Sequence, residues 1–130
     1  MAEITKNFEK KFAKYVGSKY ALMVNSGSSA NLLAFFALIN PKNKYKLQKN
    51  DECLIPSLCW STSLWPIIQA GLNPKFVDVD VETLNINLKD LKKKINKKTS
   101  AIIVVHLFGK ISKIKSILNL IKNKNIKLIE

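Results

Sequence analysis

The residues best suited to chemistry lie in one short segment, Asn25-Ser26-Gly27-Ser28-Ser29-Ala30-Asn31. A short apolar stretch precedes the segment and a long apolar run follows it, so we predict that a strand ends and a helix begins here. The N–H groups of a first helical turn lack partners within the helix and carry positive partial charge, which favours phosphate. Ser28 and Ser29 add hydroxyl donors, and the segment is therefore a candidate phosphate site.

This segment has a simpler alternative interpretation. It lacks Gly-x-x-x-x-Gly-Lys and Gly-x-Gly-x-x-Gly, so it is neither a nucleotide P-loop nor the dinucleotide-binding fingerprint. Taken alone, it is also what a plain helix N-terminus requires, with Ser26 or Ser28 as the capping residue. Both interpretations place a glycine where a tight turn is expected.

Five further residues invite a chemical role. His106 is the single histidine and is predicted to follow a buried strand, where a parallel sheet opens its ligand crevice. It is a candidate for hydrogen bonding to a neighbouring site residue, with a purely structural histidine as the alternative. Asp78 and Asp80 alternate on a strand without further ligands nearby, so turn and capping roles are expected rather than a metal site. Cys53 and Cys59 are expected in or near the core, reduced and unpaired.

The net charge of +13 raises the question of nucleic acid binding. All the basic side chains except His106 are lysines, without one arginine, and they are scattered among asparagines and isoleucines. Readers of bases and phosphates usually rely on the arginine fork, so we predict no nucleic-acid partner. No apolar run is long enough to span a membrane and no secretory signal is present, so a cytoplasmic protein is expected. Solvated lysine faces are the main interpretation, and an acidic partner is the alternative.

Strand and helix patterns alternate along the chain. Period-3.6 patterns predict helices, and short apolar runs, several rich in β-branched residues, predict strands. Such alternation indicates an α/β fold with a mostly parallel sheet and helices on both faces. Strands are predicted at 19–24, 52–55, 75–79, 101–105 and 126–129, and helices at 8–16, 30–39, 61–70, 88–95 and 111–121. The helix at 30–39 is apolar nearly all round and is expected to be buried.

Several motifs in order resemble the DegT/DnrJ family of pyridoxal-phosphate-dependent sugar aminotransferases and nucleotide-sugar 3-dehydrases. The resemblance covers nearly the whole chain. It rests on the opening helix and the serine-rich turn, and on four later segments. The matching segments are Phe8-Glu9, Phe12-Ala13, Tyr15-Val16-Gly17, 25–30, Asp51-Glu52, Ile55-Pro56, Gln69-Ala70-Gly71, 74–80, Asn85-Ile86-Asn87, 99–103 and Val105-His106-Leu107-Phe108-Gly109.

The resemblance implies a fold type I aminotransferase-like large domain. Residues 1–130 would be its N-terminal part, with the small C-terminal domain outside the chain. Gly27 and Ser28 would hold the phosphate of pyridoxal 5'-phosphate or its pyridoxamine form, with Ser29 close by. Trp60 matches the aromatic ring that stacks on the cofactor, since flat rings pack well on flat heterocycles. A core tryptophan is the alternative for Trp60, and His106 would act only through a neighbour.

The same resemblance implies a function and its limits. The parent protein would be an enzyme acting on nucleotide-linked keto-deoxysugars in cell-surface polysaccharide or lipopolysaccharide biosynthesis, as a homodimer. The carboxylate for the pyridine nitrogen, and the lysine or substituting histidine that decides between amino transfer and 3-dehydration, would follow Glu130. The fragment alone is therefore expected to be inactive, without a catalytic residue. Residues 110–113 depart from the family pattern. A non-catalytic basic α/β binding module, or a degenerate fragment, is the alternative.

Overall fold

The structure, a computed structural model, describes residues 2–130. Within that range there are four strands and five α-helices. The first two helices come first, and the remaining three helices then alternate with the strands. The strands are β1 (Glu52–Pro56), β2 (Asn73–Val77), β3 (Thr99–Ile103) and β4 (Lys127–Ile129). The helices are α1 (Ala2–Val16), α2 (Gly27–Ile39), α3 (Ser61–Gln69), α4 (Leu88–Lys94) and α5 (Ile114–Ile121), with a 3-10 turn at Leu107–Gly109.

The four strands form one parallel sheet in the order β2-β1-β3-β4. β1 and β3, the two central strands, are buried at every position. Beyond Glu52 at the start of β1 and Thr99 and Ser100 at the start of β3, both strands are apolar without alternation, because they are covered on both faces. The sequence-based prediction of an α/β fold with a mostly parallel sheet is confirmed.

Helices cover both faces of the sheet and define two apolar cores. On one face, Phe35 of α2 and Ile67 of α3 pack with β1 and β3 side chains that include Ile55. On the other face, Leu91 of α4 and Ile117 of α5 pack with the side chains that point the opposite way. The parallel strands place all their carboxyl ends at one edge, hereafter the carboxyl edge. The loops that follow the strands therefore gather there.

Local sequence signals account for the ends of several helices. α1 ends at Val16 and is followed by Gly17, whose φ of +71° is a left-handed conformation that favours glycine. Gly71, with φ of +73°, follows α3 in the same way. Asn87 caps α4, because its side-chain oxygen accepts from the N–H groups of Lys89 and Asp90.

Two sequence-based expectations are wrong. Residues 19–24 form no strand, because none of the four strands lies alongside to pair with their backbone. The Met23 N–H instead donates to Glu9 Oε1 at 2.8 Å. The apolar helix α2 is also not buried all round. Its Phe35 is fully buried against the sheet, but Phe36 on another side is 46% exposed, since nothing in residues 2–130 covers it.

Other predicted boundaries also shift. α1 begins at Ala2, six residues before its predicted start, and α2 begins at Gly27, three residues before its predicted start. β2 and β3 each begin and end two residues earlier than predicted, and α5 begins at Ile114 after the 3-10 turn. Among the described helices, none combines the length and apolar character needed to cross a membrane.

Candidate functional site

The first turn of α2 combines a helix cap with free donors. Ser26 is the capping residue, and its Oγ accepts from the Ser29 N–H at 3.1 Å while its carbonyl accepts from Ala30. The N–H groups of Gly27 and Ser28 have no partner in residues 2–130. Ser26, not Ser28, is therefore the cap, and the cap leaves two convergent donors at the positive end of the helix.

Gly27 has a different role from the one expected. Its φ is not left-handed, so the turn does not require glycine here. A Cβ built on Gly27 meets no protein atom within 4 Å, so the space beside its backbone is open. Glycine at this position therefore lets a ligand approach the two N–H groups closely. An open cradle with two backbone donors and the hydroxyls of Ser28 and Ser29 fits a phosphate group.

Trp60 lies on the loop after β1 and directly precedes α3. Its side chain is 78% exposed, so within residues 2–130 it lies outside both apolar cores. A large, exposed aromatic ring at the carboxyl edge is available to stack on a flat ligand.

A hydrogen bond between the starts of α2 and α3 depends on Pro66. Pro66 lies inside α3 and has no N–H, so it leaves the carbonyl of Thr62, four residues earlier, without its helical donor. Asn31 of α2 fills this role, because its Nδ2 donates to the Thr62 carbonyl at 3.3 Å. Since Thr62 is two residues from Trp60, this bond brings the Trp60 loop to the first turns of α2. Pro66 thus makes a carbonyl of α3 available for a contact between the two helices.

His106 connects the carboxyl ends of two neighbouring strands. The Ser112 N–H donates to its Nδ1 at 3.1 Å, and its Nε2 lies 3.1 Å from Glu130 Oε2. Because Nδ1 accepts a hydrogen bond, the ring hydrogen of the neutral form is on Nε2 and points at Glu130. No hydrogen bond in residues 2–130 joins His106 to Trp60 or to the α2 turn. Its role at a site stays a prediction.

The sequence did not indicate that Glu130 contacts His106. The signal that would have found it is its position after β4, the strand next to β3 in a parallel sheet. Side chains that follow adjacent parallel strands meet at the same edge.

The remaining candidates have structural roles. Asp80 Oδ1 accepts from the Thr83 N–H, the Thr83 hydroxyl and the Glu82 N–H. These hydrogen bonds stabilise the turn at residues 80–83, which is the role expected for Asp80. These hydrogen bonds, that from the Thr83 backbone first, lower the pKa of Asp80. Cys53 is buried in the core, and burial raises the pKa of its thiol to about 12. Burial also raises the pKa of the half-buried Cys59.

Known proteins resemble this chain in sequence and structure. Over 130 residues it is 46% identical to a GDP-4-keto-6-deoxy-D-mannose 3-dehydratase of Yersinia pseudotuberculosis, covering 100% of this chain and 33% of the relative. Over 124 residues it is 37% identical to the lipopolysaccharide biosynthesis protein RfbH of Salmonella typhimurium, covering 95% and 28%. The structure of an E. coli GDP-4-keto-6-deoxy-D-mannose-3-dehydratase with bound hydrated PLP matches with a TM-score of 0.90 at 44% identity, covering 95% and 32%.

The chain spans about a third of the length of the relatives it matches. Its fold is that of a fold type I aminotransferase-like large domain, as predicted. The family model of the DegT/DnrJ/EryC1/StrS aminotransferases matches residues 1–130. Because this match covers the whole chain, we conclude that the chain belongs to the DegT/DnrJ/EryC1/StrS aminotransferase family.

Proposed function

We propose that the complete polypeptide carrying this chain is a pyridoxal-phosphate-dependent enzyme acting on a nucleotide-linked keto-deoxysugar. The observation that carries this proposal is the first turn of α2. There, the N–H groups of Gly27 and Ser28 have no partner within residues 2–130, and the space beside the Gly27 backbone, where the turn does not require glycine, is open. The similarity to a dehydratase of such a sugar, and to an enzyme structure with bound hydrated PLP, supports the same assignment.

Each residue of the turn has a defined task in this proposal. The N–H groups of Gly27 and Ser28 bind the phosphate, and the hydroxyls of Ser28 and Ser29 add donors around it. Trp60 packs on one face of the cofactor ring and excludes water from that face. When bound, pyridoxal phosphate supplies an electron sink for the bonds around the reacting carbon.

Within this proposal, removal of the C3 hydroxyl is the first candidate reaction. It is favoured by the 46% identity to a 3-dehydratase along the whole chain. Amino transfer is the second candidate, because aminotransferases belong to the same family. We further propose that residues 1–130 are the N-terminal part of the large domain, and that the enzyme is a cytoplasmic homodimer. Its product would serve lipopolysaccharide or a related surface polysaccharide, as the similarity to RfbH suggests.

Binding of pyridoxal phosphate to the complete polypeptide tests the cofactor site. Ser28→Ala should weaken binding by about 0.5–1.5 kcal/mol if its hydroxyl makes one net hydrogen bond. Ser116→Ala, on α5 and the opposite face of the sheet, is the matched control and should leave the affinity unchanged. Equal affinities for Ser28→Ala, the control and the parent would contradict a phosphate site on this turn.

Mass spectrometry of the product tests the reaction. With GDP-4-keto-6-deoxymannose and an amino donor, dehydration gives a product that has lost the C3 oxygen. Amino transfer gives a product in which nitrogen replaces the keto oxygen. An unchanged sugar in the presence of bound cofactor would refute GDP-4-keto-6-deoxymannose as the substrate while leaving the cofactor site standing.

A further inference from the structure

The position of the Trp60 ring is set by its backbone. The side chain is 78% exposed and lies in neither apolar core, so its own packing does little to fix it. The backbone, in contrast, is anchored, because Trp60 caps α3 and its carbonyl accepts from the N–H of the buried Ser63 at 2.9 Å. Where the ring lies relative to the proposed phosphate site on α2 therefore depends on how the start of α3 is held against α2.

In residues 2–130, a single hydrogen bond joins α2 to α3. Asn31 Nδ2 donates to the Thr62 carbonyl at 3.3 Å, and Thr62 lies two residues after Trp60. The apolar contacts between the two helices centre on Phe35 and Ile67, about one turn farther along each helix. The hydrogen bond of Asn31 is therefore the contact that fixes the two helix starts relative to each other.

The sequence around this hydrogen bond makes it specific to Asn31. Pro66 has no N–H, so the Thr62 carbonyl lacks the donor that a helix normally supplies, and Asn31 meets no competitor within α3. Asn31 follows Gly27 by four residues, which places both residues on the same face of α2. That face therefore carries Gly27 at the proposed phosphate site and, one turn later, the hydrogen bond to the start of α3.

We propose that Asn31 is a positioning residue for the cofactor ring. Through Thr62 it holds Trp60 at a fixed distance from Gly27 and Ser28, so that the ring and the phosphate of one cofactor meet their partners together. Asn31 itself touches neither the ring nor the phosphate. Its contribution is to order the Trp60 loop before binding, which removes an entropic cost from the binding step. This inference rests on the proposed function and assigns that site a further residue.

Binding to the complete polypeptide separates the cofactor ring from its phosphate. Asn31→Leu keeps most of the side-chain volume and removes the donor. It should weaken binding of pyridoxal phosphate about threefold, within the loss expected for one net hydrogen bond, and leave the inhibition constant of competing inorganic phosphate unchanged. Ser28→Ala should weaken binding of both ligands, because it acts on the phosphate. Asn43→Ala is the matched control and should change neither constant, since Asn43 Nδ2 also donates to an α2 carbonyl at 3.3 Å, but at the far end of the helix.

Fluorine NMR of the complete polypeptide, labelled with 5-fluorotryptophan, reports on the Trp60 ring directly. The Trp60 signal is the one that disappears in Trp60→Phe. Saturating pyridoxal phosphate should shift this signal in the parent, because a stacked ring changes its surroundings, and should shift it less in Asn31→Leu. The signal of Trp65, the other tryptophan of α3, should not differ between the two proteins, as it would if α3 loosened as a whole. Asn31→Ala, which also lacks the donor, repeats both measurements with a smaller side chain.

Three results would overturn the inference while the cofactor site stands. One is parent-like affinity with an unchanged Trp60 shift in Asn31→Leu and Asn31→Ala. Another is an equal loss of affinity for inorganic phosphate and pyridoxal phosphate in these variants, which would locate the damage at the phosphate. The third is an equal loss in Asn43→Ala, which would mean that any weakened contact of α2 impairs binding. A parent protein without affinity for pyridoxal phosphate, in contrast, would refute the proposed function and this inference with it.

Discussion

Gly27→Ala should separate the folding of the α2 turn from its binding of phosphate. The added Cβ meets no protein atom within 4 Å, and the backbone at this position is not left-handed. Glycine costs about 0.5–1 kcal/mol relative to alanine inside a helix, and less at its first residue. We therefore expect the free energy of unfolding to stay constant or to rise by up to about 0.5 kcal/mol.

The same substitution should damage cofactor binding in the proposed enzyme. A methyl group beside the N–H groups of Gly27 and Ser28 occupies the space through which a phosphate approaches. Loss of one hydrogen bond to a charged group costs about 1.5–3 kcal/mol, which corresponds to roughly tenfold weaker binding or more. Equilibrium titration with pyridoxal phosphate, followed by absorbance, measures this change in the complete polypeptide.

Gly17→Ala is the matched control for this experiment. Its Cβ also meets no atom within 4 Å, but its φ is +71°, so alanine there is strained. We expect Gly17→Ala to lower the free energy of unfolding by about 1 kcal/mol with unchanged cofactor affinity. Urea denaturation compares the two variants. Parent-like cofactor affinity in Gly27→Ala, or destabilisation equal to that of Gly17→Ala, would refute the reasoning about this turn.

Three further predictions concern other parts of the chain. Trp60→Ala should weaken pyridoxal phosphate binding more than Ser28→Ala does, because stacking worth about 0.5–1.5 kcal/mol is lost together with the burial of the two rings. It should change stability by under about 0.5 kcal/mol because the ring is mostly exposed. A loss of stability as large as the loss of cofactor affinity, measured by urea denaturation and by titration with pyridoxal phosphate, would contradict a stacking role. Iodoacetamide at pH 8 should label Cys59 in the native protein and Cys53, with its pKa of about 12, only after unfolding. Hydrogen bonds lower the pKa values of Asp80 and Asp90 from the ordinary 3.8, so their contribution to stability is present above that pH and lost as pH falls below it. The urea midpoint should decline less between pH 5 and pH 3 in Asp90→Asn than in the parent.

Local sequence patterns predicted most strands, and the exception at residues 19–24 arises because no strand lies beside that segment in the described chain. β1 and β3 contain continuous apolar segments, Cys53–Pro56 and Ala101–Ile103, and burial on both faces is the expected state of such segments. Residues 19–24 have similar apolar character but no neighbouring strand in the described chain. Strand propensity alone does not supply a partner for the backbone, so the segment stays irregular.

The features of the candidate site that depend on residues close in sequence could be predicted. The serine-rich segment before an apolar run indicates a capped helix with free donors, and the structure has both at Ser26 and Gly27. The reason for the glycine was not predictable, because it depends on φ and on which atoms surround an added Cβ.

The sequence by itself determined the alternation of strands and helices, the presence of a helix directly after the serine-rich segment and the family, because each depends on neighbouring residues or on ordered motifs. Tertiary structure alone decided the contacts that build the site. Asn31 meets the carbonyl that Pro66 leaves free across a separation of 31 residues, and His106 meets Glu130 across 24. Such pairs form because packing of helices and the order of strands bring distant segments to one edge of the sheet, and no local pattern records that order.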